Sequence, residues 1–317
     1  MASPLLRIGT RGSALALTQA AELVARLAAA HPDLAAPGAV ETIVIKTTGD
    51  RVTDRTLAAI GGKGLFAKEI EEALLAGRID MAVHSLKDLP TWLPEGLTLA
   101  CHLPREDPRD AFFSTGAASL ADLRAGAILG TSSPRRHAQV LHARPDLSVV
   151  PLRGNVDTRL KKLESGAVDA TLLAVAGVKR LGMMDRVTAI LPPEAMLPAV
   201  AQGAIGVEIR ADDERAKHCL EPLDDPATAA CVTAERAVLA ALEGSCRTPI
   251  AALAEIADGV LNLRAMIIRP DGSEPFVAAR QGAPADADRL GAEAGAELRG
   301  RAGPGFFDMA LPEERPV

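Results

Sequence analysis

The sequence has very few aromatic side chains, no tyrosine and a net negative charge. Aromatic residues make up 2% of its 317 residues, and the formal net charge is −6. A nucleic-acid binder needs a basic face and usually aromatic rings for stacking, so we expect no nucleic-acid partner. No apolar run approaches the length of a membrane span and no signal segment opens the chain. We therefore expect no membrane contact and a cytoplasmic location.

Cysteine is also scarce, and its spacing argues against two kinds of site. The four thiols are Cys101, Cys219, Cys231 and Cys246. None of them forms a C-x-x-C pair and no histidine-rich run accompanies them, so neither a zinc site nor a disulfide framework is indicated. We predict reduced thiols and no metal.

Apolar residues are plentiful, at 48% of the chain, and one apolar stretch changes character abruptly. The run Met81–Val83 predicts a buried strand, and it is followed at once by His84, Ser85, Lys87 and Asp88. Ligands of open α/β sheets bind just beyond the carboxyl ends of the strands, so Lys87 and Asp88 are expected at the mouth of a cleft. The alternative for this stretch taken alone is a surface Lys–Asp pair in a loop.

Three short sequence segments of the first third of the chain recur, in the same order, in the second third. The matching pairs are residues 8–10 with 128–131, 48–50 with 153–155, and 79–83 with 168–175. They predict two similar α/β lobes, although generic βαβ patterning could produce some of the matches. Segments near 104–108 and 197–203 would cross between the lobes, and the strand after residue 203 would return to the first lobe. Two crossings give a hinged clamp.

The remainder of the chain has a different pattern. A long helix near 227–242, three strand-like segments and a closing helix near 285–298 are typical of a small α+β domain, with Asp258-Gly259 and Asp271-Gly272 as hairpin turns. The predicted domains are lobe 1 over residues 1–103 and 204–221, lobe 2 over 109–197, and a C-terminal domain over 226–317.

Cationic and hydroxyl side chains collect where the predicted strands end. They are Arg11, Ser13, Lys63, Ser85, Lys87, Thr131, Ser132, Ser133, Arg135, Arg136, Arg153, Arg159, Lys179 and Arg180. Arginine binds carboxylates bidentately and helix N-termini favour anions, so the set predicts a basic cleft for a small, multiply anionic ligand. The alternative is that each arginine makes a surface ion pair within its own lobe, which would stabilise little.

Nine segments in order resemble the porphobilinogen deaminase (hydroxymethylbilane synthase) family. They are Arg7–Ser13 (RIGTRGS), Gly61–Lys68 (GGKGLFAK), Asp80–Pro90 (DMAVHSLKDLP), Arg105–Phe112 (REDPRDAF), Gly130–Arg136 (GTSSPRR), Leu152–Leu160 (LRGNVDTRL), Leu173–Gly182 (LAVAGVKRLG), Leu197–Gly203 (LPAVAQG), and Thr233–Arg236 with Leu242–Cys246 (TAER and LEGSC). The resemblance runs from residue 7 to about residue 250 and weakens after that.

The resemblance implies an α/β fold with two periplasmic-binding-protein-like lobes joined by a hinge, plus a small C-terminal α+β domain. It implies a transferase that joins four porphobilinogen units head to tail into the linear tetrapyrrole hydroxymethylbilane, with loss of ammonia at each addition. The implied cofactor is dipyrromethane, held by a thioether to Cys246. By motif match Asp88 is the catalytic carboxylate.

The resemblance also assigns residues to the cofactor and substrate carboxylates. They are Arg11, Ser13, Lys87, Thr131, Ser133, Arg135, Arg136, Arg153, Arg159 and Arg180, to which the strand-end pattern adds Lys63, Ser85 and Ser132. Every pyrrole unit carries an acetate and a propionate, so a growing chain needs many such partners. Loss of ammonia leaves an azafulvene cation, which a fixed carboxylate stabilises as an oxyanion hole stabilises an anion.

Two positions depart from the family pattern. Pro134 stands where leucine is usual, and Gly244-Ser245-Cys246-Arg247 replaces the usual Gly-Gly-Cys-Gln. Proline is well tolerated at a first helical position, so the first change should be harmless. A competing function is a non-enzymatic two-lobed anion sensor or solute receptor, which would not need Cys246. No unusual apolar face suggests assembly, so we expect a monomer.

Overall fold

The computed structural model describes residues 5–51, 64, 66–244 and 248–307. The chain forms two compact units. Unit 1 comprises Met1–Glu106 with Ala204–Ala229, and unit 2 comprises Asp107–Gly203 with Ala230–Val317. Two predicted site residues, Lys63 and Cys246, lie outside the described residues.

Unit 1 is built around a five-stranded sheet. Its elements are β1 (Leu6–Thr10), α1 (Ala14–Ala30), β2 (Val40–Val44), α2 (Thr48–Arg51), α3 (Lys68–Leu75), β3 (Met81–Ser85), β4 (Leu97–His102), β10 (Ile205–Arg210), α7 (Glu214–Leu220) and the start of α8 (Pro226–Ala241). The strand order is β2-β1-β3-β10-β4, with β10 antiparallel to both neighbours. The strand that follows residue 203 therefore lies in the sheet of unit 1.

Both faces of this sheet are covered, which explains why its central strands are almost wholly apolar. On one face Ile8, Met81 and Val207 pack with Leu23 and Leu27 of α1. The other face carries a smaller cluster in which Ala82 packs with Ile70 and Leu74 of α3. Polar groups placed on that second face are therefore buried.

Unit 2 contains a second five-stranded sheet with the same pattern. Its first elements are β5 (Asp110–Ser114), β6 (Ile128–Gly130), α4 (Pro134–Ala143), β7 (Ser148–Val150), α5 (Val156–Glu164), β8 (Ala170–Ala174), α6 (Val175–Arg180) and β9 (Ala189–Leu191). The order is β7-β6-β8-β5-β9, with β5 antiparallel to both neighbours. Position for position this matches the first sheet, so the prediction of two similar α/β lobes is confirmed.

Glycines at equivalent strand ends show the repeat at atomic scale. A Cβ on Gly9 of β1 would lie 2.3 Å from Ile79 Cδ1, and a Cβ on Gly130 of β6 would lie 2.9 Å from the Leu152 side chain. In each strand, glycine therefore stands where a side chain from later in the sequence packs against the strand backbone. The buried threonines that come next, Thr10 and Thr131, complete the shared motif.

The C-terminal part of unit 2 is a three-stranded antiparallel sheet with one long helix. It consists of β11 (Ile250–Ala257), β12 (Val260–Ile267), β13 (Phe276–Gly282) and α9 (Ala287–Ala302). Asp258 and Gly259 both have positive φ and form the predicted turn between β11 and β12. The predicted α/β fold with a small α+β domain is confirmed.

One buried carboxylate connects three parts of unit 2. Glu235 of α8 is fully buried and accepts hydrogen bonds from the backbone N–H groups of Ala201, at 2.6 Å, and Ala254, at 2.8 Å. Ala201 has a φ of 58°, a conformation that costs energy for a residue with a Cβ. The hydrogen bond that the Ala201 N–H donates to Glu235 compensates for part of that cost.

Several short elements were not predicted from the sequence. They are the helices α2, α6 and α7 and the strands β5 and β9. These elements are short, and β5 begins with a charged residue that hides its apolar run. Within the described ranges, no helix is long and apolar enough to cross a membrane.

Candidate functional site

The polar end of β3 forms one side of a pocket in unit 1. The strand stops at Ser85, and the chain continues through a single 3₁₀ turn, Leu86–Asp88. Leu86 is buried and its N–H donates to the Ala204 carbonyl at 3.1 Å, which anchors the turn. Asp88 is exposed at the rim. Buried Leu86 fixes the backbone of this turn, so the backbone that carries Asp88 is held in position although the Asp88 side chain is exposed.

The other side of this pocket comes from the ends of β1 and α3. Its lining includes Arg11, Ser13, Phe66, Ser85 and Asp88. The guanidinium carbon of Arg11 lies 4.1 Å from the centre of the Phe66 ring. Such a cation–π contact holds the guanidinium plane in position over the ring.

The N-terminus of α1 opens at the same pocket. Ser13 is its N-cap, and its hydroxyl accepts from the Ala16 N–H at 3.3 Å. One turn further, the side chain of buried Gln19 donates to Ser85 Oγ at 2.8 Å and can accept from it at 3.1 Å. The helix end contributes a positive partial charge next to Arg11, and together they favour an anionic group.

Ionisable side chains lie beneath the pocket, on the sheet face covered by α3. His84 of β3 also lines the pocket, and its Nε2 lies 3.0 Å from Oε2 of Glu208 on β10. The side chains of His84 and Glu208 are only 7% and 0% exposed. Burial, together with the charges of Glu208 and Glu72, raises the pKa of Glu71 on α3 to about 7. Glu71 is therefore a carboxyl group that can exchange a proton near neutral pH.

In unit 2 the equivalent strand-to-helix junction holds the hydroxyl cluster. Ser133 caps α4, accepts from the Arg136 N–H at 3.4 Å, and is followed by Pro134 at the first helical position as predicted. The Ser133 N–H donates to Thr131 Oγ1 at 3.2 Å. Among the described residues, the buried Ser132 hydroxyl has no hydrogen-bond partner. It is available to an additional acceptor or donor.

The two arginines of this junction converge on one carboxylate. Arg135 Nη1 donates to Asp110 Oδ2 at 2.7 Å, and Arg136 Nη2 donates to Asp110 Oδ1 at 2.7 Å. Asp110 is completely buried, and the arginines are 4% and 5% exposed. Burial alone would raise the pKa of Asp110, but the two guanidinium groups outweigh it and hold that pKa well below its ordinary value.

The same cluster extends to the segment before β10. Arg135 Nη1 also donates to the Leu197 carbonyl at 2.8 Å. The amide of Gln202 donates to Asp110 Oδ1 at 2.9 Å and to the Pro108 carbonyl at 2.7 Å. One buried carboxylate thus organises the start of β5, the first turn of α4 and residues 197–202.

The remaining predicted cations of unit 2 lie at later strand ends. Arg153 follows β7, and Arg159 on α5 donates from Nε to the Gly154 carbonyl at 2.9 Å. Arg180 ends α6 and donates to the Gly203 carbonyl at 3.2 Å. All three are partly exposed, so their side chains keep access to solvent.

The predicted residues therefore form separate groups. Arg11, Ser13, Ser85 and Asp88 share the pocket of unit 1, with Lys87 in the adjoining turn; Thr131, Ser132, Ser133, Arg135 and Arg136 share the α4 junction of unit 2. Sequence reasoning missed Asp110, Gln19, Glu208 and Gln202 as site residues. Asp110 could have been found, because it stands in the Arg105–Phe112 segment that carries the family resemblance.

Comparison with known proteins gives a consistent result over nearly the whole chain. A family model described as "Porphobilinogen deaminase, dipyromethane cofactor binding domain" matches residues 6–218, and one described as "Porphobilinogen deaminase, C-terminal domain" matches residues 229–300. The porphobilinogen deaminase of Paracoccus denitrificans is 58% identical over 96% of this chain and 97% of that relative. The chloroplastic porphobilinogen deaminase of Oryza sativa is 54% identical over 96% of this chain and 86% of that relative.

Some solved structures are distantly similar to the chain. A periplasmic substrate-binding protein of an ABC transporter from Coxiella burnetii is 17% identical over 71% of this chain and 94% of that chain, with a TM-score of 0.44. A likeness this weak supports no functional conclusion.

Proposed function

Because the chain belongs to the porphobilinogen deaminase family, we propose that it joins four porphobilinogen units head to tail into hydroxymethylbilane, releasing ammonia at each addition. The observation that carries this function is the pocket of unit 1, where the Asp88 carboxylate stands with Arg11, Ser13 and Ser85. The sensor alternative is not favoured, since the matched model is that of a cofactor-binding enzyme domain.

The described residues fit a dipyrromethane cofactor by the chemistry of their donors. Its acetate and propionate groups call for guanidinium, hydroxyl and helix N-terminal N–H donors, all of which occur at the pocket in unit 1 and at the α4 junction in unit 2. Its pyrrole N–H groups call for an acceptor, which Asp88 supplies. When bound, the dipyrromethane provides the free pyrrole carbon to which the first substrate unit is joined.

In unit 1 we assign Asp88 an electrostatic role. As ammonia leaves porphobilinogen, positive charge develops on the pyrrole, and an ionised carboxylate at a fixed position stabilises it. Arg11 and Ser13 bind a substrate or cofactor carboxylate, helped by the N-terminus of α1. Ser85 and Lys87 flank Asp88 and complete the binding surface, and Lys63 is assigned to the same set by motif.

In unit 2 we assign the α4 junction to the carboxylates of cofactor and substrate. The unpaired Ser132 hydroxyl supports this role, as does Arg135 Nε, which is buried without a hydrogen-bond partner among the described residues. The same role is assigned to the other residues of this junction, Thr131, Ser133 and Arg136. Arg153, Arg159 and Arg180 are assigned to carboxylates added later, because they keep solvent access at neighbouring strand ends.

We further propose that Cys246 carries the cofactor through a thioether. The described thiols are less suitable as attachment points. Burial raises the pKa of the Cys101 thiol to about 12 and also raises that of Cys219, while Cys231 is buried within α8. A thiol that stays protonated is a poor nucleophile, and a buried one is inaccessible.

Intact-mass measurement with an activity assay tests the proposal. The wild-type protein should carry the added mass of two pyrrole units and convert porphobilinogen to hydroxymethylbilane. Cys246→Ser should fold but lack both the added mass and the activity, whereas the control Cys101→Ser should keep both. An adduct that persists in Cys246→Ser would refute the attachment site, and a bare wild-type chain without turnover would favour the anion sensor.

The monomeric state and the cytoplasmic location stay predictions, with porphobilinogen as the small-molecule partner. Sedimentation equilibrium with and without cofactor checks the first. A concentration-dependent mass would contradict it.

A further inference from the structure

The floor of the unit 1 pocket contains a histidine–carboxylate pair that no step above uses. His84 and Glu208 lie on the antiparallel neighbours β3 and β10, where His84 is opposite Gly206 and Ala82 is opposite Glu208. This diagonal register places both side chains on the same face, with Nε2 and Oε2 3.0 Å apart. The glycine is required, because a Cβ at position 206 would lie 2.3 Å from Leu86 Cδ2.

The pair is buried but not sealed from the pocket. His84 lines the pocket together with Arg11 and Asp88, whereas Glu208 is completely buried behind it. Glu208 Oε1 has no hydrogen-bond partner among the described residues. Glu208 of β10 lies against the imidazole and also acts on the charge of Glu71 on α3, while Arg11 and Asp88 line the same pocket as His84. A buried carboxylate behind a pocket-lining imidazole fixes the tautomer and stabilises the imidazolium, as in other histidine–carboxylate pairs.

The proposed reaction needs a proton acceptor in addition to a charge stabiliser. Each carbon–carbon bond forms at a ring carbon that still carries hydrogen, and that hydrogen must leave as a proton to restore the aromatic ring. Asp88 serves best when it stays ionised beside the developing cation. An ordinary carboxylate, with a pKa near 4, is also a weaker base than an imidazole, with a pKa near 6.5.

We propose that His84, held by Glu208, accepts the proton released from the pyrrole carbon at each addition. This inference rests on the proposed function. Ammonia leaves first and the carbon–carbon bond then forms. The carbon–hydrogen bond breaks next, its electron pair restores the ring, and the proton passes to neutral His84. The imidazolium then gives the proton to solvent, where it protonates the released ammonia, so His84 is neutral again for the next addition.

Porphobilinogen deuterated at its free ring carbon gives a direct test in the cofactor-loaded enzyme. Replacing the base should slow turnover by about 10²-fold or more and make proton removal limiting. His84→Gln should therefore show a primary isotope effect larger than that of the wild type. The matched control is His102→Gln, since His102 lies 3.4 Å from Asp224 in the same unit but away from this pocket. It should leave the rate and the isotope effect unchanged.

Glu208→Gln provides a second test that does not require His84→Gln to fold. Without the negative charge the imidazolium loses its stabilising partner, so proton transfer should slow and Glu208→Gln should also show a primary isotope effect larger than that of the wild type. Equal isotope effects in wild type and His84→Gln, or in wild type and Glu208→Gln, would overturn the proposal. If the wild-type enzyme makes no hydroxymethylbilane, the proposed function fails instead, and the two failures are distinguishable.

Discussion

The two units use one scaffold and treat their key carboxylates in opposite ways. Both sheets have the same strand order, and both follow a glycine–threonine strand end with a serine-capped helix. In unit 1 the carboxylate of Asp88 is exposed at a pocket. In unit 2 the carboxylate of Asp110 is completely buried against Arg135 and Arg136.

The exposed carboxylate of Asp88 is available to a ligand, whereas the buried carboxylate of Asp110 holds parts of the protein together. A buried carboxylate must find its partners inside the fold, and its two guanidinium groups here repay much of the desolvation cost. An exposed carboxylate loses little solvation and can direct its charge at a bound molecule. Two carboxylates at different places in a repeated fold can thus serve stability and chemistry separately.

The largest effect on stability is expected for Asp110→Ala. It leaves two buried guanidinium groups without a counter-charge, and breaking a buried pair in this way costs about 3–5 kcal/mol. Urea unfolding measures the loss as a lower midpoint at unchanged slope. The matched change at the exposed carboxylate, Asp88→Ala, should stay within about 0.5 kcal/mol of wild type. Similar losses in both variants would remove the distinction between the two units.

The second largest effect is expected on the reaction rate, from substitutions of the exposed carboxylate Asp88. Asp88→Asn keeps shape and loses charge, so turnover should fall about 10²–10³-fold, equivalent to roughly 2.7–4 kcal/mol in the barrier. Its unfolding midpoint should not change. Asp88→Glu should retain a small residual rate because the charge survives but is displaced. Single-turnover kinetics on cofactor-loaded protein checks both, and near wild-type elongation by Asp88→Asn would remove Asp88 from the mechanism.

The contributions of Glu71 in unit 1 and Asp110 in unit 2 to stability should also change with pH in opposite directions. Glu71 in unit 1 has a pKa raised from 4.5 to about 7, so its contribution to stability is complete below pH 4.5 and is lost as the pH rises to about 7. Asp110 in unit 2 has a pKa held below 3.8, so its contribution is present above that pH and is lost as the pH falls further.

Urea unfolding across this pH range checks both signs. Glu71→Gln should remove the decline between pH 4.5 and 7 and leave the acid limb in place. A decline in that window that persists unchanged in Glu71→Gln would contradict the assignment to Glu71.

The smallest effects are expected where the two units are most alike. Ser13→Ala and Ser133→Ala each remove an N-cap acceptor and should cost about 1 kcal/mol. Ser→Asn at either position should restore most of the loss, because asparagine caps as well as serine. If alanine and asparagine give the same stability at one of the positions, its cap is not the origin of the loss.

The sequence was sufficient for the features that depend on local chemistry. Ser133 and Pro134 predicted where α4 begins, and Asp258-Gly259 predicted the turn between β11 and β12, because capping and positive φ are decided within a few residues. The two-lobe repeat was visible because Gly9 and Gly130 face the same steric demand in each sheet.

The features that the sequence did not reveal depend on long-range pairing. Asp110 resembled part of a charged link, and only the folded chain brings Arg135, Arg136 and Gln202 to it. Glu208 lies in a mostly apolar strand, and its partner His84 is 124 positions away in the sequence. Charge counted along the chain predicted a basic site but could not tell which cations are neutralised within the protein.

The place of β10 between β3 and β4 also has a consequence for synthesis on the ribosome. The strands of the first sheet up to His102 emerge early, but β10, which separates β3 from β4, begins only at Ile205. At about 5–20 residues per second the nascent chain waits roughly 5–20 s for that strand. The second five-stranded sheet, complete at Leu191, can close during this wait. Of the two five-stranded sheets, the one that is begun first is therefore completed last. Until then the open edges of β3 and β4 are the part of the nascent chain most in need of protection from aggregation.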